Sequence, residues 1–308
     1  MGRYVARRML QIIPVFFGTT FLIFAMVFAL PGDPIRALAG DKPQPPAVTI
    51  ALRDRYNLDD PLLVQYGKYI WNLFQFDLGT SFRGREVSDI MAETWPVTVK
   101  LALTAFVIEI VIGLLAGVLA GLRRGSFLDN LVLISTTLVV SVPVFVLGFT
   151  AQILLGVQWR IFPVAGLSDG WPRSYILPAV VLASISLAYL ARLTRTSLTE
   201  NLRSDYVRTA VAKGLPRWRV VGVHTLRNSL IPVVTLLGVD LGSLMGGAII
   251  TEGIFNIPGV GRQVFNSVRT QEGFVVVGIS TILVLVYLFT NLIVDLLYGV
   301  LDPRIRYE

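Results

Sequence analysis

Three acids, Glu109, Asp240 and Asp295, stand inside otherwise apolar stretches of the chain. A charged side chain at the centre of a bilayer costs at least about 2.5 kcal/mol, so such groups face protein or water. Two chemistries suit them: a substrate path or proton relay, or an interhelical hydrogen bond or ion pair. Glu109 and Asp295 read as structural, and Asp295 lies near enough the end of its stretch to pair with nearby cations. Both readings stay open for Asp240. The chain has one histidine, His224, and no cysteine. No disulfide, thiolate metal site or multi-histidine cluster can be built from that set. No Ser/His/Asp constellation assembles around His224, which reads as a helix-surface or packing residue. No Gly-x-x-x-x-Gly-Lys-[Ser/Thr] phosphate loop occurs. The expectation is a chain with no catalytic residue, no metal ligands and no cofactor of its own.

The elements that carry these acids are apolar helices. Over 308 residues the chain is 54% hydrophobic and 15% charged, against about 25% charged in soluble domains. Arg3, Arg7 and Arg8 precede an uncharged run of 24 residues from Met9 to Gly32. A cleaved signal core spans only about 7–15 residues, so the run reads as a retained first helix. A bilayer crossing needs about 20 apolar residues. Six stretches qualify: Met9–Leu30, Val97–Leu122, one within Asn130–Trp159, Ser174–Ala191, Asn228–Thr251 and Gly273–Leu301. The expected fold is all-α and integral to the membrane. Its parts are an N-terminal tail and first span (1–31), an outer helical segment (32–96), a five-helix core (97–301) and a tail (302–308).

Lysine and arginine set orientation. The side holding both termini carries 15 basic residues, and the other carries 11, offset by nine acids between Asp33 and Trp95. Both termini are therefore expected in the cytoplasm. The net charge of +7 reads as an insertion signal, and no nucleic-acid partner is expected. In the outer segment, Asp59-Asp60-Pro61 reads as a helix start. Leu62, Tyr66, Tyr69, Leu73 and Phe76 follow at helical spacing. That helix either lies on the membrane or bundle, or docks an external partner.

The loop Arg192–Arg227 is the most informative segment. Leu198, Leu202, Tyr206 and Ala210 fall four apart, as on one helix face. Lys213-Gly214 reads as a helix end. Pro216 then opens a second helix, where its missing N–H costs nothing, and Trp218, Val221 and Thr225 continue an apolar-leaning face. A rigid basic hairpin between two spans can transmit force from a soluble partner.

Gly238, Gly242 and Gly246 repeat at small-xxx-small spacing in the fifth stretch, with Gly247 beside them. Such residues let helices approach closely or leave room for cargo, and the two readings are compatible. Pro143 is expected to kink the third stretch. The loop Glu252–Gly261, with Phe255, Pro258 and Gly259, reads either as a compact loop dipping toward the bundle or as a plain connecting turn.

Several motifs together resemble one family. Asp205-Tyr206-Val207-Arg208-Thr209-Ala210-Val211-Ala212-Lys213-Gly214-Leu215, then His224-Thr225-Leu226-Arg227-Asn228-Ser229-Leu230-Ile231-Pro232, looks like the ATPase-coupling loop of bacterial ABC importer permeases, dipeptide/oligopeptide/nickel branch. Thr209-Ala210 and Gly214 keep the spacing of the general Glu-Ala-Ala motif. Arg208 replaces its Glu, and Leu226-Arg227 replaces its Leu-Pro. Leu30-Pro31-Gly32-Asp33-Pro34, Asp77-Leu78-Gly79-Thr80-Ser81, Thr251–Gly261 and Asp302-Pro303-Arg304-Ile305-Arg306 resemble the same branch. The resemblance implies ATPase coupling through Asp205, Tyr206, Arg208, Thr209, Ala210, Lys213, Gly214, Leu215, Arg217 and Trp218. It also implies a second permease, two ATP-binding subunits that hold ATP and Mg, an extracytoplasmic binding protein and the bacterial inner membrane. Di- and oligopeptides are the implied cargo, with nickel chelates or glutathione as alternatives. A proton-driven secondary transporter gains support from Glu109 and Asp240. Such folds often show paired halves, and no repeat relates residues 1–150 to 151–308.

Overall fold

The computed structural model describes residues 2–29, 49–50, 53–54 and 57–301, without the side chains of 2–6, 247, 295 and 297–301. The segment 30–34, the tail motif 302–306 and the side chains of Asp295 and Gly247 lie outside the described residues. The described chain is all-helical apart from one isolated bridge, Thr80 to Glu86. The helices are α1 (Gly2–Phe28), α2 (Leu62–Phe74), α3 (Val87–Leu122), α4 (Phe127–Ser141), α5 (Val144–Gln158) and α6 (Arg173–Asn201). They continue as α7 (Asp205–Ala212), α8 (Arg217–Ser229), α9 (Ile231–Ile254), α10 (Val260–Arg269) and α11 (Gly273–Leu301).

Helices α1, α3, α6 and α11 each contain a stretch long and apolar enough to cross a membrane. Two further crossings arise if α4–α5 and α8–α9 each count as one bent span, so the described residues give four to six. The second expected stretch lies within a longer helix that already begins at Val87. The fourth runs on to Asn201. The third is not one helix: α4 and α5 meet at 105°. Pro143 has no N–H to continue the ladder, and it drives Val142 to φ −103°, ψ 128°. The fifth bends by 46° between Ser229 and Ile231.

The core sits where α3, α6 and α9 converge, around Leu101, Leu177, Ala183, Ala248, Phe255 and Ile257, all buried. Helix α2 packs against the bundle, which favours the first of its two expected settings. Its Tyr69 is buried with Phe24 and Val277, and the hydroxyl donates to Thr281 Oγ1 at 2.7 Å. Burial pushes the Tyr69 hydroxyl up to about 12. The helix ends at Phe74. Phe76, expected on its face, turns out at φ 62° and stands exposed.

Candidate functional site

The hairpin between α6 and α9 is built by local rules. The expected single face from Leu198 to Ala210 is divided between two helices. Helix α6 ends at Asn201, and Ser204 in extended backbone (φ −70°, ψ 155°) restarts the chain as α7. Ser204 Oγ donates to the Asn201 carbonyl at 2.6 Å, a local bond that competes with helix continuation. Helix α7 closes in a Schellman turn: Gly214 N–H donates to Val211 O at 2.9 Å and Leu215 N–H to Ala210 O at 3.3 Å. Gly214 takes φ +72° there, a conformation that a side chain disfavours by about 1–2 kcal/mol.

A small core holds the two arms together. Val207, Ala210 and Val220 are buried, with Leu215 packed on them. Asp205, Arg208, Thr209, Lys213, Pro216 and Arg217 are exposed on the outside. Tyr206, Val211 and Trp218 are exposed too, Trp218 at 72%. His224, expected on a helix surface or in packing, falls in a π-helical turn, Val220–Thr225, of α8. The hairpin's root is clamped to the bundle by two buried serines. Ser197 Oγ donates to the Ser229 carbonyl at 2.9 Å, while Ser229 Oγ donates to the Thr225 carbonyl of its own arm at 2.9 Å, with the Ser197 carbonyl farther off at 3.4 Å. This clasp was not legible in the sequence, because its partners lie 32 residues apart.

In the bundle, the glycines of α9 part company. A Cβ on Gly238 would meet Val294 at 2.7 Å, and one on Gly242 would meet Tyr287 at 3.3 Å. One on Gly246 would meet nothing within 4 Å. The first two positions thus suit packing on α11, and the third leaves an open surface. A second repeat escaped the sequence reading. Gly113, Gly117 and Gly121 of α3 lie against Leu190, Thr194 and Leu198 of α6. Asp240 Oδ1 accepts from Ser186 at 3.3 Å and Ser243 at 3.2 Å.

The outer loop is compact. Glu252, expected in the loop, lies in the last turn of α9 and is fully buried. Its Oε1 accepts from Thr98 Oγ1 at 2.6 Å, and its Oε2 from the Arg262 N–H at 2.9 Å. Thr98 Oγ1 in turn accepts from the Val260 N–H at 2.8 Å. Phe255 and Ile257 plug inward, and Pro258 is exposed. Gly259 lies so close to the Glu252 carboxylate that a Cβ would overlap it at 2.2 Å. Thr98 thus joins α3 to both ends of the loop. Thr98→Val is expected to destabilise the purified protein by about 1–3 kcal/mol, because two buried partners lose a bond. A thermal melt in detergent checks this.

Among the described residues, no group of three His, Cys, Asp or Glu side chains is placed to hold a metal. Residues 113–307 match the model of the binding-protein-dependent transport system inner membrane component, and residues 1–102 match that family's N-terminal component. A Brucella abortus relative named as a peptide transport system permease protein is 41% identical, with full coverage of both chains. The dipeptide transport system permease protein DppB of Escherichia coli is 37% identical, and the di/tripeptide permease protein of Pseudomonas aeruginosa 39%, each over the full length of both chains. The fold resembles a chain from inward-facing structures of the MetNI methionine ABC transporter, with TM-score 0.53 and 17% identity over 69% of this chain and 96% of that one. The chain belongs to the binding-protein-dependent transport system inner membrane component family, as a multi-pass permease of the cytoplasmic membrane.

Proposed function

We propose that this chain is one permease subunit of an ATP-driven importer of di- and oligopeptides, with the α7–α8 hairpin as its coupling element. The observation that carries the coupling role is the hairpin itself. It has its own small core, an exposed Trp218 and Val211, and a root tied to two spans. Exposed apolar residues on a projecting, basic element suit a protein partner better than water. The peptide cargo rests on the full-length likeness to peptide permeases.

In this reading the chain crosses the membrane six times, with both termini and the hairpin in the cytoplasm. It pairs with a second permease. Two ATP-binding subunits, which hold ATP and Mg, grip Tyr206, Arg208, Arg217 and Trp218. An extracytoplasmic binding protein delivers cargo on the other face, near the Glu252–Gly259 loop. Closure of the ATP-binding subunits draws the hairpin inward and switches access from one side to the other. The binding protein biases that switch only by binding the two states with different affinity.

The chain has no cysteine, so Arg217→Cys provides a unique crosslinking handle. It is expected to crosslink to an ATP-binding subunit in native membranes. Trp218→Ala is expected to lower ATP-driven dipeptide uptake by at least about 10-fold, as loss of an interface anchor does. Membrane insertion and melting temperature stay as in the parent, because Trp218 lies outside the hairpin's core. Ala210→Asp is a poorer probe, since Ala210 is inside that core and the change would unfold the hairpin. Full uptake by Trp218→Ala together with no crosslink from position 217 would remove the coupling role.

A further inference from the structure

We propose that Glu109 and Asp240 form a carboxylic acid–carboxylate pair that holds one proton between α3 and α9, inside the bundle. The inference rests on the membrane reading of the fold and is independent of the cargo. Glu109 is 0% exposed. Neither of its carboxyl oxygens has a hydrogen-bond partner among the described residues, and Asp240 Oδ2 is buried in the same condition. Gly113 of α3 lies against Leu190 of α6 and Gly117 against Thr194, so the same register brings Glu109 one turn on to Ser186, whose hydroxyl reaches Asp240 Oδ1 at 3.3 Å. Neither acid forms an ion pair with a described lysine or arginine.

The surroundings supply little charge. From α6 the pair meets the hydroxyl of Ser186, directed at Asp240 Oδ1, and from α9 that of Ser243, shared between the Asp240 carbonyl at 2.9 Å and Oδ1 at 3.2 Å. On the α11 side, Tyr287 and Thr290 stand beside Gly242. Those hydroxyl bonds stabilise charge on Asp240 and leave Glu109 with none. Glu109 also opens a π-helical turn, Glu109–Gly113, a distortion found frequently at functional sites.

Two adjacent carboxylates in a low-dielectric site cannot both ionise. An isolated buried carboxylate costs several kcal/mol. One proton resolves both problems: Glu109 carries it as the acid and donates to the unpartnered Asp240 Oδ2, while Asp240 keeps the charge. The pair joins α3 to α9, between the outer Thr98–Glu252 network and the Ser197–Ser229 clasp, so moving either span exposes or reshapes the proton site.

Infrared spectroscopy of the assembled transporter in lipid nanodiscs at neutral pH tests this. The parent is expected to show a protonated-carboxyl C=O stretch that shifts in D2O. Glu109→Gln removes it, Asp240→Asn shifts its frequency, and Asp295→Asn leaves it in place. Glu109→Gln mimics the neutral acid, so the variant is expected to assemble normally, with an unchanged elution profile and melting temperature. Failure of Glu109→Gln to assemble would overturn the proposal, because a neutral side chain is what it requires. So would a parent with no such band, a band that survives Glu109→Gln or vanishes in Asp295→Asn, or one that sodium or ammonium ions displace, which would mark a cation site instead.

Discussion

Gly117→Val is expected to stop the chain from accumulating as a folded membrane protein. A Cβ at this position would lie 2.5 Å from Thr194 Cβ and 2.6 Å from the Ala191 carbonyl oxygen. The first contact could be relieved by a shift of one side chain. The second is to the backbone of α6, which cannot move without displacing the whole span. Overpacking a well-filled core costs about 1–3 kcal/mol when neighbours adjust, and here the neighbour is rigid, so the loss sits at or above the top of that range. Gly246→Val is the control. Nothing lies within 4 Å of its would-be Cβ, so the variant is expected to fold and melt like the parent. Fluorescence-detected gel filtration of both variants after detergent extraction separates the cases. A monodisperse Gly117→Val peak of parental height would show that α3 and α6 do not meet at this glycine.

Asp129→Ala is expected to destabilise the protein by about 3–5 kcal/mol, the cost of stripping one partner from a buried ion pair. Asp129 is 2% exposed and accepts from both Arg195 Nε and Arg195 Nη2, the latter at 2.9 Å. It also accepts from the Gly125 N–H at 2.8 Å, so its carboxylate fixes the turn between α3 and α4 as well as the end of α6. Arg195, with 19% of its side chain exposed, would be left without a counter-charge. Arg195→Ala removes the other member and is expected to cost a similar amount. The double variant should lose clearly less than the sum, because the second change removes the orphan left by the first. Chemical unfolding of the four proteins of the cycle in one detergent measures the coupling. Additive losses would mean that the two residues act independently.

The hairpin was legible in outline because its signals are local. Gly214 and Pro216 mark a turn whose geometry glycine enters most easily and a next helix that tolerates proline only at its leading end. The break at Leu202–Ser204 was not legible, because apolar spacing ran straight across it and the stop is a side-chain bond from Ser204 to Asn201. Pro143 announced a kink, but the 105° between α4 and α5 depends on what each arm packs against. Gly113, Gly117 and Gly121 have the spacing of the α9 glycines and were hidden in a uniformly apolar run, where small and large residues look alike to a hydropathy count. Contacts such as Thr98 to Glu252, 154 residues apart, have no local signature. Glu109 stood out as an intramembrane acid, but that its carboxyl oxygens find no hydrogen-bond partner among the described residues other than the proposed Asp240 belongs to the folded bundle.

The serine bond at the hairpin's root has a mechanical corollary. The Ser197 hydroxyl holds the main chain of the opposite arm, so the link between the arms depends on one buried side-chain rotamer. In the coupling role proposed above, a torque on the elbow would reach α6 and the end of α8 together through that bond. Just ahead of the clasp, a π-helical turn at Val220–Thr225 interrupts the α-helical ladder of the second arm, as the break at Leu202–Ser204 interrupts the first.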